Sequence, residues 1–185
     1  MHDPTIQTPW NPTGPRDRPT TRAAPLTDRQ SSDEKRMLYA DLAQAVEGLL
    51  AGETDWIANT ANVAASIYHS LPALNWAGFY FVRGDELVLG PFQGKPACVR
   101  IRIGKGVCGT AAEQQRTILV PDVHDFPGHI ACDVASRSEL VVPLLRDGRV
   151  LGVLDLDSPI PNRFDEADRQ GCETLVGILL SAGGI

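Results

Sequence analysis

Residues 75–92 read NWAGFYFVRGDELVLGPF, and the hydrophobic period in this stretch decides the fold. Before it, apolar residues recur every three or four positions; here they recur every second one, so successive side chains point to opposite faces of an extended strand. NWAGFYFV and LVLGPF flank RGDE, which reads as a β-hairpin with Gly84-Asp85 at its tip.

Upstream, SSDEKRMLYADLAQAVEGLLAG carries Ser31 and Glu34 at capping-box spacing, with Leu38, Leu42, Ala45, Val46 and Leu49 on one face and Gly52 at the end. That pattern predicts a helix. A second helix is expected over residues 55–70, with Ile57, Ala61, Ala64, Ile67 and Tyr68 as its buried stripe and Pro72 beyond its end. Downstream, CVRIRI alternates, so Cys98 is expected to start a strand with Arg100 and Arg102 on its polar face. GKGVCGTAAEQQ follows as a glycine turn entering a short helix, and TILVPDV as another strand. ELVVPLL and VLGVLDLDS form a second hairpin across residues 146–149, and a last helix begins after Asp165, with Phe164 as its staple and Gly183 as its stop. Two helices, a β-rich middle with a helical excursion, and a closing helix predict an α+β domain built on an antiparallel sheet.

The chain has 185 residues, enough for one domain with a sizeable core. Residues 1–30 hold six prolines among polar residues and are expected to form an extended or disordered arm, leaving 31–185 as the domain. Acidic and basic residues are interspersed, with a net charge of −6 and no basic stripe, which argues against nucleic acid and anionic membranes as partners. Neither a signal peptide, a transit peptide nor a membrane-spanning run is readable, so the expected location is cytoplasmic. There, four cysteines point to catalysis, redox sensing or metal rather than to a structural disulfide framework.

Cys172 falls on the apolar stripe of the last helix and is assigned to the core. Cys108 sits at a helix N-terminus, where the macrodipole and free N–H groups favour a thiolate; the alternative is a small residue packed at a glycine turn. Cys132 has His129 three residues before it and Asp133 beside it, one able to hold a thiolate and the other opposed to it. Zinc is disfavoured because the gaps between Cys98, Cys108 and Cys132 are not the close pairs of zinc sites. Asp155 and Asp157 share one face of a strand, which Glu139 on the partner strand can join. Such a face is either solvated or set to meet a cationic ligand. Trp76 and Tyr80 also share a strand face, as core or as the apolar wall of a pocket.

Taken together, NWAGFYF, LVLGPFQGKPACVRIRIGKGVCGTAAE, VPDVHDFPGHIACDVASRSELVVPL and GVLDLDSP closely resemble the free methionine-(R)-sulfoxide reductases, single-domain members of the GAF superfamily, over residues 33–182. The resemblance implies a GAF fold, an antiparallel sheet with helices on both faces, enclosing a pocket for free methionine sulfoxide. It implies Cys132 as the attacking thiol and Cys98 and Cys108 as candidates for resolving or relaying an intramolecular disulfide. Glu139, Asp155 and Asp157 would polarise the sulfoxide oxygen or hold the substrate ammonium, with Trp76 and Tyr80 around the methyl and sulfur. No bound cofactor or metal is expected; thioredoxin, itself reduced by NADPH, would recycle the disulfide, and a homodimer is plausible. The alternative function is a non-catalytic GAF module that senses a small ligand or redox state; a zinc-stabilised structural domain is the third reading.

Overall fold

The computed structural model describes residues 30–130 and 133–183. The expected N-terminal arm and Cys132 lie outside the described residues. The elements, in chain order, are α1 (Ser32–Leu50), α2 (Trp56–Ser70), β1 (Trp76–Arg83), β2 (Glu86–Gly94), β3 (Arg100–Arg102), α3 (Gly106–Gln114), β4 (Ile118–Val120), a 3₁₀ turn (Val123–Asp125), β5 (Ser138–Arg146), β6 (Arg149–Ser158) and α4 (Glu166–Ser181).

The strands form one antiparallel sheet in the order β3-β2-β1-β6-β5-β4. Its centre joins two hairpins, β1 with β2 and β5 with β6, through the pairing of β1 with β6. Both expected hairpins are present, closing at Arg83 opposite Glu86 and at Arg146 opposite Arg149. In the second, Asp147 and Gly148 both have positive φ, 50° and 73°, the geometry whose twist matches that of paired strands.

Helices cover both faces of this sheet. One face meets α1, α2 and α4 through a core that includes Val46, Ile67, Phe79, Leu140, Leu154, Leu156 and Leu175. The other meets α3 and its flanking loops through Tyr80, Leu87, Val107, Ala111, Val141 and Val153. Strand alternation produces this division directly: Leu154 and Leu156 go to the first core, while Val153, Asp155 and Asp157 face the second side.

The expected capping box is formed: Ser31 and Glu34 satisfy each other's backbone N–H groups, an arrangement that stabilises a helix by about 0.5–2 kcal/mol. A second box, Asp165 with Asp168, opens α4, and Phe164 beside it is buried. Two helical stripes differ from expectation. The buried face of α1 is Lys35, Tyr39, Leu42, Val46 and Leu50, whereas Ala45 and Leu49 are exposed. In α2, Asn59, Thr60 and Val63 are buried and Ile57 faces out. The physical reason is that polar groups reach local partners: the Asn59 amide donates to the Glu53 carbonyl and the Thr60 hydroxyl to the Trp56 carbonyl. These bonds offset the burial of the Thr60 hydroxyl and of the Asn59 amide N–H, while Asn59 Oδ1 is buried without a partner among the described residues.

Strand β3 is shorter than CVRIRI suggested. Cys98 lies in the loop before it, and Val99 is exposed. Within the strand the expected alternation holds, with Ile101 buried between exposed Arg100 and Arg102.

Candidate active site

The second face of the sheet carries acids where a core would carry aliphatic side chains. Glu139 on β5 lies opposite Asp157 on β6, and Asp155 lies opposite Val141 two positions along. Period-two alternation therefore puts all three carboxyls on the side of α3. Glu139 and Asp155 are buried, and Asp157 is partly exposed at the rim.

Helix α3 closes over them at a distance that glycine permits. A Cβ on Gly109 would lie 2.3 Å from the Arg102 carbonyl oxygen, so a larger residue would push the helix off β3. Gly104 N–H donates to the Gly109 carbonyl at 2.8 Å, tying the turn to the helix start. Cys108 is thereby held over the acids, fully enclosed, with Sγ 3.9 Å from Glu139 Oε1. The donor atoms of Cys108, Glu139 and Asp155 all lie within 4.8 Å of one another. This trio, together with Asp157, His129, Ile130, Asp133, Ser136, Ile101, Gly106 and Val107, lines a cavity of about 30 Å³. That is room for a water molecule or an ion.

Electrostatics follow from the enclosure. Burial raises the carboxyls of Glu139, Asp155 and Asp157 well above their ordinary range, and their mutual repulsion adds to it. Among the described residues no lysine or arginine forms an ion pair with any of the three. His129 alone approaches, Nε2 to Glu139 Oε2 at 3.6 Å, and its own burial disfavours the imidazolium. Among the described residues, Asp155 Oδ1 is buried with no hydrogen-bond partner.

Of the two readings of Cys108, an activated thiolate or a small residue packed at a glycine turn, the enclosed geometry accords with the second. Its thiol is pushed well above its ordinary value, first by burial and then by the charges of Asp155 and Glu139. The helix N-terminus, read locally, favours a thiolate; carboxyls from two strands distant in sequence outweigh it. Cys172 is buried in the first core as expected, its thiol 3.6 Å from the Tyr39 hydroxyl and pushed up to about 12 by burial. Cys98 is disulfide-bonded, while Cys108 and Cys172 are free thiols.

Trp76 and Tyr80 are buried behind the cavity lining. Their rings stack at 5.8 Å, with Phe92 on the far side of Trp76 at 5.3 Å. Their polar atoms serve the loop between β2 and β3: the Trp76 indole donates to the Lys95 carbonyl at 3.2 Å and the Tyr80 hydroxyl to the Cys98 carbonyl at 3.0 Å. Both aromatics thus position the backbone that carries Cys98.

The loop after the 3₁₀ turn is fastened through residues that spacing alone did not single out. Asp133 pairs with Lys95 Nζ at 3.2 Å and accepts from the Asn75 amide at 3.3 Å and from Ala135 N–H at 3.0 Å. Asn75 also donates to Ser136 Oγ at 3.0 Å. Lys95, Asn75 and Ser136 come from three separate segments, so only the fold assembles them; Ser136 alone lies in the polar stretch around His129 and Cys132.

Comparison with known proteins agrees with this architecture. Residues 58–182 match the model of the GAF domain. The free methionine-R-sulfoxide reductase of Escherichia coli is 52% identical over 145 residues, covering 78% of this chain and 88% of that protein. The Saccharomyces cerevisiae free methionine-R-sulfoxide reductase is 44% identical over 157 residues, covering 80% and 87%. Among solved structures, the Neisseria meningitidis free methionine-R-sulfoxide reductase in complex with its substrate superposes with a TM-score of 0.78 at 47% identity, covering 84% of this chain and 93% of that one. No described helix is long and apolar enough to cross a membrane. By sequence and by fold, the chain belongs to the GAF domain family and, within it, to the group of the free methionine-R-sulfoxide reductases.

Proposed function

We propose that this protein reduces free L-methionine-(R)-sulfoxide to L-methionine. The observation that carries the reading is the group of three carboxyls with raised proton affinity and, among the described residues, no lysine or arginine paired with them. A sulfoxide sulfur becomes electrophilic once its oxygen receives a proton or a strong hydrogen bond. A carboxyl that keeps its proton near neutral pH is suited to give it, and a neighbouring ionised one to hold an α-ammonium. A peptide-bound sulfoxide lacks that ammonium and would leave a buried carboxylate without its partner.

In this mechanism the Cys132 thiolate attacks the sulfoxide sulfur while the acid protonates the oxygen. The substrate S–O bond then breaks as the hydroxyl passes to the Cys132 sulfur, so methionine leaves as the thioether and Cys132 is left as a sulfenic acid. A second thiol displaces that oxygen as water and forms a disulfide. We assign that role to Cys98, because Cys98 is the disulfide-bonded cysteine, and the partner in our reading is Cys132. Cys108, a free thiol with raised proton affinity, stays protonated over the acids in this scheme. A dithiol such as thioredoxin, supplied with electrons from NADPH, then restores both thiols. No bound cofactor is required by this sequence of steps. The N-terminal arm, the domain from residue 31 onward, cytoplasmic residence and a homodimer belong to the same proposal.

The test is a coupled assay with thioredoxin, its reductase and NADPH. Free (R)-sulfoxide should be consumed while the (S) epimer and peptide-bound sulfoxide remain, and Cys132→Ser should lose turnover. Peptide mapping after one turnover should recover a Cys98–Cys132 disulfide. A Cys108-containing disulfide would transfer the resolving role, and turnover by Cys132→Ser would end the mechanism.

A further inference from the structure

Cys108 Sγ, a Glu139 carboxylate oxygen and an Asp155 oxygen converge within 4.8 Å of one another in an enclosed space of ionic size. A zinc ion with bonds of about 2.3 Å to sulfur and about 2.1 Å to oxygen at a tetrahedral angle holds its S and O ligands about 3.6 Å apart. The Cys108 Sγ to Glu139 Oε1 separation is 3.9 Å. A second observation is independent of that spacing: although the Asp155 carboxyl bonds the Cys108 thiol, its Oδ1 is buried in the cavity wall with no hydrogen-bond partner among the described residues. An orphaned buried oxygen is costly unless a ligand meets it.

We propose that this cavity is a binding site for one Zn²⁺ ion, held by Cys108, Glu139 and Asp155 with water in the fourth position, and that the ion excludes the ammonium-bearing substrate. The donor set selects the metal class. One thiolate and two carboxylates favour a borderline-soft cation, because Mg²⁺ and Ca²⁺ are hard ions that take oxygen ligands and gain little from sulfur. Binding exchanges protons on these three groups for the cation and involves no electron transfer. The donors come from α3, β5 and β6, whose chain positions are 31 and 16 residues apart, so the site is invisible to a search for closely spaced ligand pairs. The existence of the metal site stands apart from the reductase reading; its competition with substrate rests on that reading.

The experiment separates the two. In protein oxidised so that Cys98 is in its disulfide, Co²⁺ added as the probe should produce a sulfur-to-cobalt charge-transfer band that saturates at one equivalent. Zn²⁺ should abolish it, and excess Mg²⁺ should leave it in place. Cys108→Ser should remove the band. Asp155→Asn, which retains the thiol, should weaken Zn²⁺ binding by at least about tenfold, a loss of the size found for residues that support metal sites. Cys172→Ser should change neither. Absence of the band, its survival in Cys108→Ser, or its loss in a folded Cys172→Ser protein overturns the site. In the coupled assay, Zn²⁺ should raise KM for the sulfoxide with kcat unchanged. A fall in kcat at constant KM overturns the competition while the cobalt result still decides the site, and a metal-free protein without turnover counts against the reductase reading alone.

Discussion

Two buried aspartates, one on each side of the sheet, meet opposite treatment. Asp168 at the start of α4 is fully buried and surrounded by cations and donors: Lys35 Nζ pairs with it, Arg163 Nη1 lies at 2.9 Å and the Tyr39 hydroxyl donates at 3.1 Å. Asp155 on β6 is also buried, yet its neighbours are Glu139, Asp157 and a thiol, and one of its oxygens has no hydrogen-bond partner among the described residues. Where a charge serves the fold, the chain satisfies it. Where acids are left crowded and unsatisfied, the fold tolerates a cost that only a ligand removes, which marks a functional face.

The largest expected effect breaks the satisfied side. Lys35→Ala removes the cation between Asp165 and Asp168 and leaves Asp168 buried with Arg163 as its remaining cationic partner. Loss of one member of a buried ion cluster costs about 3–5 kcal/mol. Urea unfolding should show a midpoint lowered accordingly, with the specific activity of the folded fraction unchanged, because α1 lies on the opposite side of the sheet from the cavity.

Asp155→Asn should move stability the other way. The folded carboxyl has its proton affinity raised above the unfolded value of about 3.9. The stability associated with it is therefore present below that pH and declines as pH rises toward the folded value. Asparagine cannot ionise, so the variant should have a higher Tm than wild type at pH 7–8 and an unchanged one at pH 3. Sulfoxide turnover should fall about 10²-fold or more. A variant both destabilised at pH 8 and inactive would show that Asp155 belongs with Asp168 as a structural acid, and the contrast would collapse.

The strands of both faces were legible in the sequence because alternation is local: Leu154, Asp155, Leu156 and Asp157 announce two faces in four residues. The three carboxyls and the core role of Cys172 were readable for the same reason. What escaped depends on partners far along the chain. Lys35 looks like a surface residue of α1 until Asp165 and Asp168, 130 residues away, supply its counter-charges. Cys108 looks activated from its helix position, but its burial, and then the acids of β5 and β6, raise its proton affinity. Ile57 and Leu49 looked buried by composition, whereas helix orientation followed the hydrogen bonds of Asn59 and Thr60 and the pairing of Lys35. Periodicity identifies an element and its apolar faces; it is blind to polar groups whose burial is arranged by another segment.

A smaller effect sharpens the comparison through the thiols. Cys172→Ala deletes a sulfur packed in the first core beside Tyr39, at a cost of about 1 kcal/mol. Turnover should be unaffected, and the number of thiols that react with a disulfide reagent in denaturant should fall by one. A substantial loss of activity would place α4 in communication with the cavity.

The smallest expected effect concerns Lys95, which pairs with Asp133 at the margin of the acidic face and makes no ion pair with Glu139, Asp155 or Asp157. Its side chain is largely exposed, and an ion pair of that kind contributes about 1 kcal/mol or less. The pair nevertheless joins the loop that carries Cys98 to the one that carries Cys132, so Lys95→Ala should act on loop position more than on stability. Asp133 is held also by Asn75 and by Ala135 N–H, and these two contacts limit the change. Steady-state kinetics should therefore show a rise in KM of about fivefold or less, as a loss of up to about 1 kcal/mol allows. The difference from wild type should shrink as salt is raised, because an exposed pair is screened where the buried acids are not. A salt-independent loss of kcat in Lys95→Ala would instead make this lysine a partner of the acids themselves, and the acidic face would then be compensated in the way Asp168 is.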